Sequence, residues 1–255
     1  MFNLSGHKSL IIGGNKGIGL SIASGLLKAN ATITITGRNK IDNEKSIKNL
    51  KKLSKKCNSF ILNINNDTKW IEDFNKILNS NTESYDSIFL NYGILKFEDK
   101  YEIDTKYIDE ILNTNLKSQY IISKIFSNDL IKKNKNGSII YIGSLSAKSG
   151  LSISPIYAST KAAVVNLVRS QASLYGKNGI RVNSISPGWT ETDLLNNLNK
   201  IKFLNNFKEK ITNRTPLNRI ANPTDIEGVS VFLVSKEAGY ITGEDICIDG
   251  GFYTS

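Results

Sequence analysis

Seven apolar runs of strand length, separated by longer stretches whose apolar residues recur with helical period, constrain this 255-residue chain most strongly. The runs lie at 9–13, 32–36, 59–64, 87–91, 138–142, 181–186 and 245–248. Several are continuously apolar rather than alternating, as strands covered on both faces require. Helical periodicity fills 18–27, 70–78, 108–130, 157–175 and 225–234. This repetition predicts an α/β fold: a parallel sheet with helices on both faces, in three α/β/α layers. No linker, repeat or low-complexity tract interrupts it, so 1–255 reads as a single domain. Residues 190–214 stand outside the repetition, with Leu194, Leu195, Leu198, Ile201, Leu204, Phe207 and Ile211 at helical spacing. Ligands of open α/β sheets bind beyond the carboxyl ends of the strands, where this insertion starts. A substrate lid is the expectation, and a surface helix packed on the body is the plainer alternative.

The residues that are scarce narrow the chemistry. His7 is the only histidine, and Cys57 and Cys247 are the only cysteines. A disulfide scaffold, a zinc ribbon and H-E-x-x-H metal chemistry are excluded, and no metal site is predicted. There is no G-x-S-x-G elbow. The N-terminus lacks the pattern of a signal peptide, and no apolar run approaches the roughly 18 residues of a membrane span. The expectation is a cytoplasmic protein without membrane contact.

The formal charge is +10, but only 5 of the 33 basic residues are arginine, leaving 28 lysines. Lysine belongs to A/T-rich codons, so the charge need not report a partner. The densest stretch, 40–56, carries seven lysines against Asp42 and Glu44, on a helical pattern with Ile47, Leu50 and Leu53 as its apolar stripe. It lacks the arginines, interleaved aromatics and motif of a nucleic-acid surface, and reads as a solvated helix face.

The first strand runs into Gly13-Gly14-Asn15-Lys16-Gly17-Ile18-Gly19 and then a helical pattern. Glycines let a backbone approach a pyrophosphate, and a helix N-terminus offers free N–H groups and a positive dipole end. The second strand ends Thr36-Gly37-Arg38-Asn39, where an acid would take the ribose diol of NAD. Arg38, with Lys16 in the glycine turn and Gly37 leaving space, favours the 2′-phosphate of NADP(H).

Tyr157 and Lys161 are i and i+4 at the start of a helical pattern and share a face. An ammonium beside a phenol lowers the phenol pKa and makes it a general acid/base. Ser144 follows the strand at 138–142, at a carboxyl end, where its hydroxyl can meet a carbonyl oxygen.

Together these residues resemble the short-chain dehydrogenase/reductase family over essentially the whole chain. The matching positions are Gly13, Gly17 and Gly19; Asn91-Tyr92-Gly93-Ile94; Asn115-Leu116; Ser144; Tyr157 and Lys161; Pro187-Gly188; Ile241-Thr242-Gly243; and Asp249-Gly250-Gly251. The resemblance implies a seven-stranded doubly wound Rossmann-type sheet, a homotetramer, and carbonyl reduction or alcohol oxidation with a nicotinamide cofactor. It implies a tetrad: Tyr157 as acid/base, Lys161 lowering its pKa and holding nicotinamide ribose, Ser144 polarising the carbonyl, and Asn115 holding a helix bend and a water. Asn15, Lys16, Ile18, Asn63, Asn91, Gly93, Pro187, Gly188, Thr190 and Thr192 join the glycines and Arg38 as its implied cofactor contacts.

Three positions depart from the family pattern: Ile12 replaces a threonine, Tyr92 a small residue near the cofactor, and Asn63 an aspartate. Phe2-Asn3-Leu4-Ser5-Gly6 and Arg214-Thr215-Pro216-Leu217 are similar to gluconate 5-dehydrogenase-type enzymes, to 3-oxoacyl-carrier-protein reductases and, less, to tropinone reductases. Lys96 and Lys148 follow loops at the right end of the sheet for a sugar acid, though each reads equally as a surface lysine. The expected function is an NADP(H)-dependent ketone/secondary-alcohol oxidoreductase. The alternative is a non-catalytic dinucleotide sensor or scaffold of the same fold.

Overall fold

A computed structural model describes residues 2–65, 67–80, 84–98, 101–193, 195 and 206–254. Its strands are β1 (Lys8–Ile12), β2 (Thr32–Gly37), β3 (Cys57–Ile61), β4 (Ser87–Leu90), β5 (Gly137–Ile142), β6 (Ile180–Pro187) and β7 (Asp245–Ile248). They form one sheet in the order β3-β2-β1-β4-β5-β6-β7, with every pairing parallel.

The apolar runs are continuous because each strand feeds two cores. Leu10 and Ile12 of β1 enter one cluster with Phe74, Phe126 and Val168. Ile11 enters the other with Ile22, Leu26, Phe89 and Leu233. Helices α1 (Gly17–Lys28), α2 (Lys40–Leu50) and α9 (Glu227–Val234) supply the second cluster. Helices α3 (Lys69–Asn79), α5 (Ser118–Lys132) and α7 (Pro155–Tyr175) supply the first. Burying one such side chain stabilises the fold by about 1.5–3 kcal/mol.

Three expectations shift. β3 begins and ends earlier than 59–64, because its pairing with β2 runs from Ile33 opposite Cys57 to Gly37 opposite Ile61. Leu62 lies past its end and is apolar for its place in the first core, not for a strand. α2 stops at Leu50, and Leu53 is 51% exposed; the buried face of α2 carries Asn43 and Ser46 beside Leu50. The long helix expected at 108–130 is α4 (Thr105–Leu112), a π-helical turn at Asn113–Lys117, and α5. Such a turn re-registers the helix, and Asn115 sits in it.

Going from β3 to β4 the chain crosses from one side of β1 to the other, so the strand order reverses between β1 and β4. The crevice past their carboxyl ends is where such sheets bind ligands. A short helix α6 (Ser146–Ser149) follows β5, and α8 (Phe207–Arg214) closes the described part of the insertion.

Candidate active site

The glycine turn leaves β1 with Gly14 N donating to Thr36 O at 3.0 Å. Gly13 N donates to Thr36 Oγ1 at 3.4 Å, so the neighbouring strand supplies the hydroxyl that Ile12 lacks. Gly13 and Gly17 have φ of +77° and +53°, conformations that favour glycine. A Cβ on Gly19 would strike Gly13 O and Asn91 Nδ2. Asn91 Nδ2 already donates to Gly13 O at 2.8 Å, tying the turn across the switch point. Helix α1 starts from an extended Lys16 with no side-chain cap and no acid in its first turn. Its first N–H groups and dipole therefore suit the phosphates of a dinucleotide. Thr192 lies against the turn, with its Cγ2 3.4 Å from where a Gly17 Cβ would stand.

At the tip of β2, Arg38 is exposed, as is Lys16. The space that Gly37 leaves is not available to a cofactor. A Cβ there would meet Asn15 Nδ2 and Asn43 Oδ1, which bond each other at 2.9 Å. Asn43, unrecognised in the sequence, also donates to Gly37 O at 3.3 Å and Phe60 O at 2.9 Å. Asn63 is exposed beyond β3.

Past β5, Ser144 Oγ accepts from Ser146 N at 3.2 Å and from Ser146 Oγ at 2.9 Å. With its lone pairs engaged, its own O–H is directed to donate. Tyr157 lies in the first turn of α7 and lines the same crevice. Lys161 is buried, its Nζ 5.7 Å from the Tyr157 ring centroid, and it donates to Ile142 O at 2.7 Å.

The expected electrostatics are corrected here. Burial pushes Tyr157 up to about 12, a rise opposed by hydrogen bonding from Ser144 and aided by Tyr107. No lowering by Lys161 offsets that rise; one N–H of the Lys161 ammonium goes to the Ile142 carbonyl instead. Burial also lowers Lys161, from 10.5 to about 8. Loss of water disfavours both charged forms, and this outweighs the shared helix face.

The segment after β4 is fixed at nearly every second residue. Gln119 donates to Tyr92 O at 2.9 Å. Asn115 Oδ1 accepts from Ile94 N at 2.8 Å, and its Nδ2 donates to Ile94 O at 2.9 Å. Lys96 N donates to the Tyr107 hydroxyl at 3.0 Å. Glu98 N donates to Ile153 O at 3.0 Å, while Glu98 Oε1 accepts from Ser154 Oγ at 2.8 Å and Ile156 N at 3.1 Å. A carboxylate thus caps α7 one residue before Tyr157. The Tyr92 hydroxyl bonds Ser118 Oγ at 2.8 Å, so its bulk points toward α5 rather than filling the crevice.

A cavity of about 610 Å³ gathers Ser144, Tyr157 and Lys161 with Ile18, Asn91, Gly93, Pro187, Gly188, Thr190 and Thr192. Gly13, Asn15, Lys16, Gly17, Gly19, Arg38 and Asn63 lie outside it, and Asn115 stands behind its wall. From the insertion, Leu195, Phe207 and Ile211 pack with Leu145, Trp189 and Phe252 over the cavity. Leu194, Leu198, Ile201 and Leu204 fall outside the described residues. Neither lysine singled out for a sugar acid reaches the cavity: Lys96 pairs with Glu110 at 3.3 Å, and Lys148 contacts Cys247 Sγ at 3.0 Å and Asp245 at 3.5 Å. Beside Lys161, the cations that line it are Lys210 and Arg214, neither singled out as a site residue in the sequence. Among the described residues no cluster could hold a metal ion, and no helix is long and apolar enough to cross a membrane.

A family model described as enoyl-(acyl carrier protein) reductase matches residues 12–253. A 2-dehydro-3-deoxy-D-gluconate 5-dehydrogenase of Dickeya dadantii is 31% identical over 259 residues, covering 98% of this chain and 97% of that protein. A 3-oxoacyl-(acyl-carrier-protein) reductase of Vibrio harveyi is 32% identical over 252 residues, covering 98% and 99%. A solved structure from Agrobacterium tumefaciens, described as a 2-deoxy-D-gluconate 3-dehydrogenase with bound NADP, superposes with a TM-score of 0.88 at 29% identity, covering 100% and 99%.

Proposed function

Because the chain belongs to the short-chain dehydrogenase/reductase family, we propose that it interconverts a ketone and a secondary alcohol with NADP(H), acting on a sugar acid or a 3-oxoacyl compound. The observation that carries this is that Ser144, Tyr157 and Lys161 line one cavity at the sheet's switch point. The glycine turn fits the cofactor, since Gly19 has no room for a Cβ and the N-terminus of α1 is uncapped.

The nicotinamide, when bound, supplies hydride chemistry at the carbonyl carbon. The chain supplies position and protons. Tyr157, neutral at physiological pH with its value near 12, gives its proton to the carbonyl oxygen during reduction. Ser144 donates its O–H to the same oxygen. Lys161 holds ribose hydroxyls, and Asn115 fixes the wall at Ile94 and positions a water. Thr190 and Thr192, with Pro187 and Gly188, meet the nicotinamide side. Arg38 and Lys16 take the 2′-phosphate, and Asn63 an adenine edge. Of the insertion, the described residues Leu195, Phe207 and Ile211 serve as the substrate lid. A cytoplasmic homotetramer belongs to the same reading, supported by the family membership and the two free thiols.

The test is loss of NADPH absorbance with a panel of carbonyl compounds. The wild type turns over, while Tyr157→Phe binds NADPH and loses at least about 100-fold in rate. Tight NADPH binding with no turnover on any carbonyl would instead make the chain a dinucleotide sensor.

A further inference from the structure

Six large apolar side chains converge on the cavity from four places in the chain. Leu145 follows β5, Leu151 and Ile153 precede α7, Trp189 stands at the corner after β6, and Phe207 and Ile211 come from α8. Leu145 and Ile211 are buried, but Leu151, Ile153, Trp189 and Phe207 are only half-buried. Trp189 and Phe207 meet edge to face, with ring centroids 4.9 Å apart. A concave wall that leaves hydrocarbon in contact with water gains by closing on hydrocarbon.

The hydroxyls of the same lining face the protein itself. Ser146 Oγ donates to Ser144 Oγ at 2.9 Å and Ser149 Oγ to Gly150 O at 3.1 Å. Thr190 Oγ1 donates to Gly188 O at 3.0 Å and Thr192 Oγ1 to Thr190 O at 3.3 Å. A hydroxyl carries one proton, so each of these four has spent its donor. Asn91 donates to Gly13 O, and the Tyr92 hydroxyl bonds Ser118 Oγ. Lys161 donates to Ile142 O. Ser144 and Tyr157 serve the reacting oxygen. Ser152, Lys210 and Arg214 are exposed, so the remaining polar side chains of the described lining stand in water. The hydroxyls of a sugar would lose their water inside for few side-chain donors in return.

We propose that the substrate is a ketone on an apolar carbon skeleton, with an alkyl chain rather than a row of hydroxyls beyond the reacting carbonyl. The carbonyl lies at Tyr157 and Ser144, and the chain lies along Leu151, Ile153, Trp189 and Phe207. This rests on the oxidoreductase reading and separates its two substrate candidates, since the chain of a 3-oxoacyl compound suits this wall and a sugar acid does not.

Two comparisons test it with NADPH as reductant. Across the methyl ketones from butan-2-one to octan-2-one, kcat/KM should rise about two- to fourfold per added methylene. 5-Oxohexanoate and 5-dehydro-D-gluconate share their chain length, carboxylate and ketone position and differ in the hydroxyls; the first should be preferred at least about tenfold. Phe207→Ala and Leu151→Asn should each flatten the rise with chain length. Calorimetric titration of the same compounds into the NADP⁺-saturated protein, which holds no hydride to transfer, gives both comparisons without turnover. Absent turnover with the binding series intact would sink the oxidoreductase reading and leave the apolar recognition standing. Binding that is flat with chain length, or as tight for 5-dehydro-D-gluconate as for 5-oxohexanoate, would overturn the proposal. So would a chain-length rise unchanged in both variants.

Discussion

Lys161 Nζ lies 2.7 Å from the Ile142 carbonyl oxygen, so the buried ammonium of the candidate site is anchored to the end of β5 rather than to the Tyr157 phenol. This links the helix that carries Tyr157 to the strand that delivers Ser144. It also leaves a charge in a dry place, held by the Ile142 carbonyl.

That charge is a stability cost. The fall of Lys161 from 10.5 to about 8 corresponds to roughly 3 kcal/mol. The unfolded chain binds this proton more tightly, so the penalty is full below about 8 and fades as the pH rises toward 10.5. Lys161→Met should abolish turnover yet stabilise the protein by about 1–2 kcal/mol at pH 7, once the lost bond to Ile142 is subtracted. Urea melts at pH 7 and at pH 10 check this; the gain should shrink at the higher pH.

The same value sets a pH profile for reduction. Tyr157 stays protonated through the neutral range, so kcat/KM should be flat there and fall as Lys161 loses its charge above about pH 8. Alcohol oxidation, which needs the phenolate, should keep rising with pH. Initial rates in both directions across pH 6–10 would show the divergence.

Glu98→Ala removes the cap of α7, leaving Ser154 Oγ and Ile156 N without that acceptor. A loss of about 1–2 kcal/mol is expected from thermal melts, with kcat lowered about tenfold because Tyr157 follows immediately. Glu98→Gln keeps an acceptor at Oε1 and should stay close to wild type in kcat.

Arg38→Asp should raise the KM for NADPH at least about tenfold and lower that for NADH. Steady-state kinetics with both cofactors provide the measurement. An unchanged KM for NADPH would remove Arg38 from the 2′-phosphate site.

Periodicity made the sheet legible, because strands that feed two cores must be apolar throughout, as Leu10, Ile11 and Ile12 are. The glycine turn was legible for a similarly local reason: Gly13, Gly17 and Gly19 act within one strand–turn–helix unit. Asn43 escaped notice because its partners belong to the glycine turn, β2 and β3, which only the parallel pairing brings together. Glu98 escaped for the same reason, since Ser154 is 56 residues away. The electrostatics of Tyr157 and Lys161 depend on burial, which an i, i+4 spacing does not report. Lys210 and Arg214 line the cavity because α8 borders it, a placement that the sequence spacing does not report.

The amide pair of Asn15 and Asn43 beneath Gly37 limits how this enzyme can be redesigned. An engineer seeking NAD preference by adding a carboxylate at position 37 would unseat both amides, and with them the joint among the glycine turn, β2 and β3. The exposed neighbour at 38 tolerates exchange without disturbing that joint. On the proposed assignment of Arg38 to the 2′-phosphate, nucleotide preference is adjustable at that residue and mechanically locked at the residue before it.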